Sequence, residues 1–297
     1  MRIGCAVVDY GKPAETARCV ASLRRDPAAG LIVVVENLSA SADSLRQALA
    51  AVPGVDCVIN DRNRGFAGGC NDGIARLRAG EPCDAVFLVN NDAWLPDDAL
   101  STLAAVLVDA AEVGIVAPRI LMPDRRTVWA AGGVYNSLRG TGSDRGRGCP
   151  DGPAYSEAMD LPWTTGCAML LRTRLFDEVG YFDESFFMYY EDLDLCLRAR
   201  AHGWRIRYAP KAVVLHEGSL SAGGAYGDFT SYFRYRNRLK ILAKHGTPTQ
   251  IAANTFFLPL LALRDLAMYG LGGHWTAYRR LWLGVRDLLA GRSDVST

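Results

Sequence analysis

Short apolar runs alternate with amphipathic stretches over the first 120 residues. Ile3–Val8, Leu31–Val35, Val55–Ile59, Ala85–Val89 and Val113–Val116 are rich in β-branched residues and read as buried strands. Between them, Pro13–Arg25, Ala42–Ala51, Gly68–Arg78 and Asp97–Asp109 show helical spacing. Pro13 suits a first helical turn, and Pro96-Asp97-Asp98 marks a helix start. Strands separated by helices predict a mostly parallel sheet covered on both faces. In such sheets ligands bind beyond the carboxyl ends of the strands, so polar residues there are the first candidates for chemistry.

From Pro123 to Pro162 the periodicity fades into Gly, Arg, Asp and Pro, which predicts a long surface loop of the kind that serves as a lid or binding element. Order returns with the apolar stretch Cys167–Leu171 and a helix over Arg174–Val179. A second helix follows Phe186-Phe187-Met188-Tyr189-Tyr190-Glu191-Asp192 and runs to about Ala201, with Gly203 as its stop. Two short strands, Arg205–Tyr208 and Ala212–Leu215, end at His216, and the remainder is mainly helical. Residues 1–245 are expected to form the main domain, with a nucleotide-binding half at 1–122 and an acceptor and catalytic half at 123–245. Residues 246–297 form a helical extension.

The 297-residue chain carries a formal net charge of +1, which gives no reason to expect a nucleic-acid partner. Its eight cysteines include no C-x-x-C pair and sit largely in apolar runs, which fits a reducing, cytoplasmic setting. The amino terminus enters a strand directly, without the signature of a signal peptide. The most apolar segment, Ile251 to Leu263, is 13 residues long, short of the ~20 of a membrane span. It reads equally as a core helix or as one lying in a membrane interface.

Four polar clusters fall at strand ends or helix starts. Glu36-Asn37-Leu38-Ser39 follows the second strand; its carboxylate can accept from a pyrimidine imide or a ribose hydroxyl, or simply cap the next element. Asn63 to Gly73, with glycines at 65, 68 and 69, could bring backbone close to an anion, or be a tight strand-to-helix turn. It matches neither the dinucleotide fingerprint nor a P-loop. Asn90-Asn91-Asp92 closes the fourth strand, where a carboxylate can hold Mg²⁺ or Mn²⁺, or be an exposed turn residue. Glu191-Asp192-Leu193-Asp194 opens a helix, where acidic groups suit the dipole or provide a general base. His216, about 24 residues on, reads as a metal ligand or a core histidine.

In this order and spacing, the clusters resemble the large family-two glycosyltransferases of the GT-A fold, from Ile3 to about Lys244. The likeness rests on Asn63 with Gly65-Phe66-Ala67-Gly68-Gly69, Phe87-Leu88-Val89-Asn90-Asn91-Asp92 and Gly166-Cys167-Ala168-Met169-Leu170. Phe187 to Leu195, His216 and Arg236-Asn237 complete it. Within that family the chain is most similar to rhamnosyltransferase-type enzymes of cell-wall and surface-polysaccharide assembly. The resemblance implies an α/β, Rossmann-like, mostly parallel sheet flanked by helices, with a helical carboxy-terminal extension. It implies an inverting, metal-dependent transfer of a sugar, L-rhamnose from dTDP-rhamnose or a hexose from a UDP-sugar. The acceptor hydroxyl belongs to a glycan, a lipid-linked glycan or a small molecule. Asp192 would be the base, with Glu191 orienting acceptor or sugar. Asp9, Glu36, Asp61, Asn63, Gly68, Asn71 and Asn91 would serve the nucleotide sugar, and Arg236 its diphosphate or an acceptor phosphate. Asp92 and His216 would hold the metal, and Trp163 and Gly166 would line the acceptor side. The first strand ends Asp9-Tyr10-Gly11 where the family usually has Asn-Tyr-Asn, and Glu36 replaces the usual aspartate.

Two other classes compete. A nucleotidyltransferase needs a glycine-rich opening with Arg and Lys after the first strand, which Asp9-Tyr10-Gly11-Lys12 does not provide. A catalytically inactive nucleotide-sugar- or glycan-binding scaffold would need none of Asp92, Asp192 and His216. Phe256, Phe257, Leu258, Leu260 and Leu261 beside Arg279, Arg280 and Arg286 predict peripheral contact with the inner face of a membrane, or else a helical cap or homodimer contact.

Overall fold

The computed structural model describes residues 1–37, 42–50, 52–80, 82–96, 98–218 and 227–292. Ser39, Ala51 and Asp97 lie outside them. The elements, in chain order, are β1 (Ile3–Asp9), α1 (Pro13–Arg25), β2 (Ala29–Glu36), α2 (Ala42–Leu49), β3 (Val55–Ile59), α3 (Gly65–Ala79) and β4 (Ala85–Asn90). They continue with β5 (Ala93–Trp94), α4 (Ala99–Asp109), β6 (Val113–Leu121), β7 (Val128–Ala130), β8 (Gly133–Asn136) and β9 (Thr141–Asp144). β10 (Ala168–Arg172), α5 (Thr173–Val179), α6 (Glu191–Ala201), β11 (Arg205–His216), α7 (Asp228–His245), α8 (Pro248–Leu271) and α9 (Trp275–Leu289) follow.

Two compact units result. The first comprises Met1–Val134, Ser143–Glu184 and Glu191–Gly218; the second comprises Tyr135–Gly142, Ser185–Tyr190 and Ser219–Thr297. The second therefore begins before α8, taking in α7 and two short excursions of the chain.

The first unit is a nine-stranded sheet in the order β3-β2-β1-β4-β10-β6-β11-β5, with β7 on β6. β3, β2, β1 and β4 run parallel, as do β6 and β11, while β10 lies antiparallel between β4 and β6. Alternating side chains of the sheet explain its two covered faces. Ile3, Cys5 and Val7 point into a core with Cys19, Val20 and Leu23 of α1, Leu45 of α2 and Leu100 and Leu103 of α4. Gly4, Ala6 and Val8 face the other way onto α3, where Leu77, Gly73 and Gly69 respectively approach them closely. Phe87, fully buried in β4, anchors the first core; its truncation to Ala is expected to cost about 3–5 kcal/mol.

Three sequence expectations need correction. Residues 123–162 are not an open loop: Val128–Ala130 pairs with β6, and β8 and β9 form a hairpin. Turns at Gly132, Gly140, Gly146 and Gly148, all at positive φ, reverse the chain so often that no run shows periodicity. The two short strands before His216 are one continuous strand, β11, with an irregularity between Ala209 and Val213. Finally, the apolar stretch Ile251–Leu263, too short by itself for a membrane span, belongs to α8, in which Pro248–Tyr269 is long and apolar enough to cross a membrane. The helix start expected after Pro96-Asp97-Asp98 is found at Ala99, although the side chain of Asp98 does not cap α4. The buried Asp26 does so from the end of α1, accepting from Leu100 N at 2.8 Å and from Ser101 Oγ at 2.7 Å.

The second unit packs α7 on α9, closely enough at Gly284 that an added Cβ would lie 2.6 Å from Tyr232 O. The Tyr232 hydroxyl donates to Asp287 at 3.1 Å.

Candidate active site

Strand register brings the donor-side candidates together at one edge of the sheet. Asp9 ends β1 opposite Glu36 at the end of β2, and both are fully buried. Oδ1 of Asp9 accepts from Thr16 Oγ1 and from Asn91 Nδ2 at 2.9 Å, so Asn91 reaches the first strand rather than solvent. Oδ2 of Asp9 is buried with no hydrogen-bond partner among the described residues. A buried acceptor left open at a ligand-binding edge is a position from which a nucleotide group could be held. Asp61 is exposed just after β3.

Asn37 was quoted in the sequence without a role, yet it is the hub of this edge. Its Nδ2 donates to Asn63 Oδ1 at 3.1 Å and Gly65 O at 2.7 Å. Its Oδ1 accepts from Arg64 N at 3.0 Å and Asn60 Nδ2 at 3.2 Å. A buried amide is worth keeping only when its capacity is used, and here it ties the β2 end to the start of α3. Asn63 is drawn into the same turn, also accepting from Gly65 N at 2.9 Å.

The glycines of that turn serve packing. Gly65 has φ +68°, and a Cβ on Gly68 would lie 2.6 Å from that of Arg64. Asn71 spends its amide on Phe182, accepting from its N–H at 3.0 Å and donating to its carbonyl at 2.9 Å. Arg64 completes the brace with a fork on Glu184 at 2.8 and 2.7 Å, beside Asp72. These pairs hold Glu184 below the usual carboxylate range, against the opposing effect of burial.

Asp92 and His216 meet because β11 pairs with β5, setting His216 opposite Ala93. His216 Nε2 lies 2.9 Å from Asp92 Oδ1, and both residues are buried. His216 Nδ1 has no hydrogen-bond partner among the described residues. The Trp129 ring stands edge-on to the imidazole, with centroids 4.4 Å apart. One carboxylate and one imidazole suit Mn²⁺ or Mg²⁺ when phosphate oxygens and water supply the remaining ligands. Among the described residues no group of three His, Cys, Asp or Glu could enclose a metal alone.

Glu191 and Asp192 open α6. Asp192 Oδ2 accepts from Gly166 N at 2.8 Å and Oδ1 from Leu193 N at 2.7 Å. Gly166 is required there: a Cβ would come within 3.0 Å of the Phe66 ring. Burial raises the Asp192 carboxyl to about 6, the two amide hydrogen bonds pull it down, and the nearby Asp144 pushes it up. Glu191 is more deeply buried, and burial together with the Asp192 charge drives it well above the carboxylate range. Its Oε2 has no hydrogen-bond partner among the described residues. Asp194, the third acid, is fully buried and pairs with Arg198 at 2.8 Å, a structural contact.

The two clusters are joined through one strand end. Gly166 N holds Asp192, and the next residue, Cys167, accepts from Asn90 N at 2.8 Å through its carbonyl. Asn90 is two residues from Asp92. Trp163 lies upstream but is buried, with its indole donating to Val134 O at 3.0 Å and its ring covering Gly133, so its visible role is packing.

In the second unit, Arg236 is buried and donates to Ser185 O at 3.1 Å and Asn237 Oδ1 at 3.0 Å. Both bonds are made by Nη1. Phe187, Tyr189 and Tyr190 adopt φ of 64°, 65° and 72°, a costly run for aromatic residues. Asn237 Nδ2 offsets it, lying 2.8 Å from each of the carbonyls of Phe186, Met188 and Tyr189.

Known proteins are similar to this chain in sequence and in fold. The model of the glycosyltransferase-like family 2 matches residues 2–239. An N-acetylglucosaminyl-diphospho-decaprenol L-rhamnosyltransferase of Mycobacterium tuberculosis is 31% identical over 245 residues, covering 73% of this chain and 76% of that protein. A low-salt glycan biosynthesis hexosyltransferase of Haloferax volcanii is 25% identical over 210 residues, 69% of this chain and 65% of its own. The fold resembles a Pyrobaculum calidifontis mannosyltransferase solved with GDP-Man and Mn²⁺, with TM-score 0.58 and 16% identity over 97% of this chain and 87% of that one. It also resembles GalNAc-T7 solved with UDP, GalNAc and Mn²⁺, with TM-score 0.60 and 13% identity over 80% of this chain and 51% of that one.

Proposed function

The chain belongs to the glycosyltransferase-like family 2, and on that premise we propose that it transfers a sugar from a nucleoside diphosphate donor to an acceptor hydroxyl with inversion. The observation that carries this reading is the link through Gly166 and Cys167, which ties the base Asp192 and the strand of Asp92 to consecutive residues. L-Rhamnose is the favoured sugar, with dTDP-rhamnose as its donor, and a lipid-linked glycan the favoured acceptor, since the name of the Mycobacterium tuberculosis relative carries L-rhamnose and a diphospho-decaprenol lipid.

Asp9 and Glu36 hold the nucleoside end, with Asp61 at the rim. Asp92 and His216 are the residues that would hold Mn²⁺ or Mg²⁺. Once bound, the ion supplies Lewis-acid neutralisation of the departing diphosphate. Asp192 takes the acceptor proton as the hydroxyl oxygen bonds to the anomeric carbon. The bond from that carbon to the phosphate oxygen breaks, and its electron pair leaves on the oxygen. A base near pKa 6 is ionised at neutral pH yet basic enough to receive a proton late in the step. Glu191, buried beside it with its carboxyl raised by burial and by the Asp192 charge, orients acceptor or sugar.

The enzyme works at the cytoplasmic face of a membrane, held by α8. This helix is inside out. Asn254 and Asp265 occupy its protein-facing side, with Asn254 accepting from Arg238 at 2.8 Å. Phe256 is 77% exposed, and Leu260, Leu263 and Leu271 are also turned to solvent. Apolar surface of that kind marks a membrane or protein contact. A homodimer would cover the same face and would show as a doubled mass in detergent-free solution.

The test is calorimetry of nucleoside diphosphates and their sugars with and without Mn²⁺, on wild type and Asp92→Ala. Metal-dependent binding lost in the variant is expected. Folded wild type that binds no member of the panel would overturn the reading in favour of a scaffold.

A further inference from the structure

The leaving diphosphate gains charge as the sugar departs, and the Asp92 carboxylate offsets part of what a divalent ion contributes there. A second cation at this edge would therefore act where charge develops. Arg18 is engaged by Glu217 at 2.8 Å.

Arg147 is differently placed. It sits between Gly146 and Gly148, at φ +80° and +76°, in a turn closed by Cys149 N donating to Gly146 O at 2.9 Å. That turn is pinned to β7, since Gly148 N donates to Val128 O at 2.9 Å and Val128 N to Cys149 O at 2.8 Å. The neighbouring Trp129 ring thus receives the Arg147 guanidinium at 3.9 Å from its centroid. Trp129 in turn stands against His216, and His216 against Asp92. Arg147 remains 42% exposed, and its partner Asp144 stands at 3.6 Å, a loose contact. Arg145, two residues earlier, instead spends its guanidinium on the carbonyls of Ala131 and Ala154.

We infer that Arg147 binds the diphosphate of the donor and pairs with the oxygen on which the electron pair departs, with Trp129 as its platform. Stacking on the ring fixes the plane of the fork, and an arginine fork can meet two phosphate oxygens at once. Asp144 holds the guanidinium until phosphate replaces it. This assignment rests on the reading of the site as a nucleoside diphosphate sugar site.

Calorimetry of the full chain with UDP, dTDP and the corresponding nucleosides in Mn²⁺ tests it. Arg147→Gln is expected to weaken diphosphate binding roughly 10–100-fold, the effect of losing a charge-assisted pair, with nucleoside binding unchanged. Arg147→Lys should recover part of the loss, and Asp144→Asn should tighten diphosphate binding. Wild-type affinity for the diphosphates in Arg147→Gln would overturn the inference while leaving the donor site standing. Should that variant fail to fold, equal affinities of wild type, Arg147→Lys and Asp144→Asn would overturn it as well. Folded wild type that binds no diphosphate at all would instead sink the donor reading, and this inference with it.

Discussion

The sheet edge of the first unit and helix α8 of the second break the same rule in opposite senses. At the sheet edge, carboxylates and amides lie where a core would be: Asp9 and Glu36 are fully buried, and Asn37 is nearly so. On α8, phenylalanine and leucine lie where water is. Burying a polar group costs free energy unless its hydrogen bonds are made, and exposing an apolar face costs free energy unless something covers it. The sheet edge meets part of its cost internally, through Asn37, Thr16 and Asn91, and leaves Asp9 Oδ2 and Glu36 Oε2 buried without a hydrogen-bond partner among the described residues. On helix α8 the apolar side chains of Phe256, Leu260 and Leu263 stay exposed among the described residues, which is why a membrane is proposed to cover them.

The comparison is broken most severely at Asp192. Asp192→Ala is expected to lower kcat on the order of 10²–10⁴-fold while leaving donor binding intact, read by steady-state kinetics beside calorimetry. Asp92→Ala should follow, with kcat/KM down roughly 10²–10³-fold and the Mn²⁺ dependence of donor binding abolished. Undiminished transfer by either variant would remove that residue from the mechanism.

The hub is next. Asn37→Ala strands four partners, two of them backbone groups, and is expected to cost about 2–3 kcal/mol in urea unfolding. Unchanged stability would mean that the donor edge is held by other contacts.

Two pH effects should run in opposite directions. With Asp192 as the proposed base, kcat/KM should rise with pH through about 6 and then level. Stability behaves otherwise, because Asp192 and Glu191 bind protons more tightly in the folded chain than in the unfolded one. Their contribution is complete below the ordinary carboxylate range and is lost as pH rises through about 6. Thermal melts from pH 4 to 7.5 should show Glu191→Gln losing less stability than wild type, by about 2–4 °C. An identical slope in both proteins would mean that Glu191 is ionised throughout.

The smallest effect on the fold should come from α8. Phe256→Glu with Leu260→Glu is expected to leave the melting temperature within about 1–2 °C, since both side chains are exposed. The same variant should abolish sedimentation with vesicles containing anionic lipid. Retained vesicle binding would reject the membrane role of this face.

Local pattern alone determined much of the first unit. The bounds of β3 and α1 follow the apolar periodicity residue for residue, because their propensity and burial agree. The order of Asp92, Asp192 and His216 along the chain was equally legible, because motif spacing is a property of sequence. Tertiary structure decided what each group does. The capping of α4 by Asp26, the raised pKa of Asp192 and the stacking of Arg147 on Trp129 depend on partners distant in sequence. Which side of α8 faces outward was likewise hidden, since composition shows that a helix is apolar but only packing shows where that surface points.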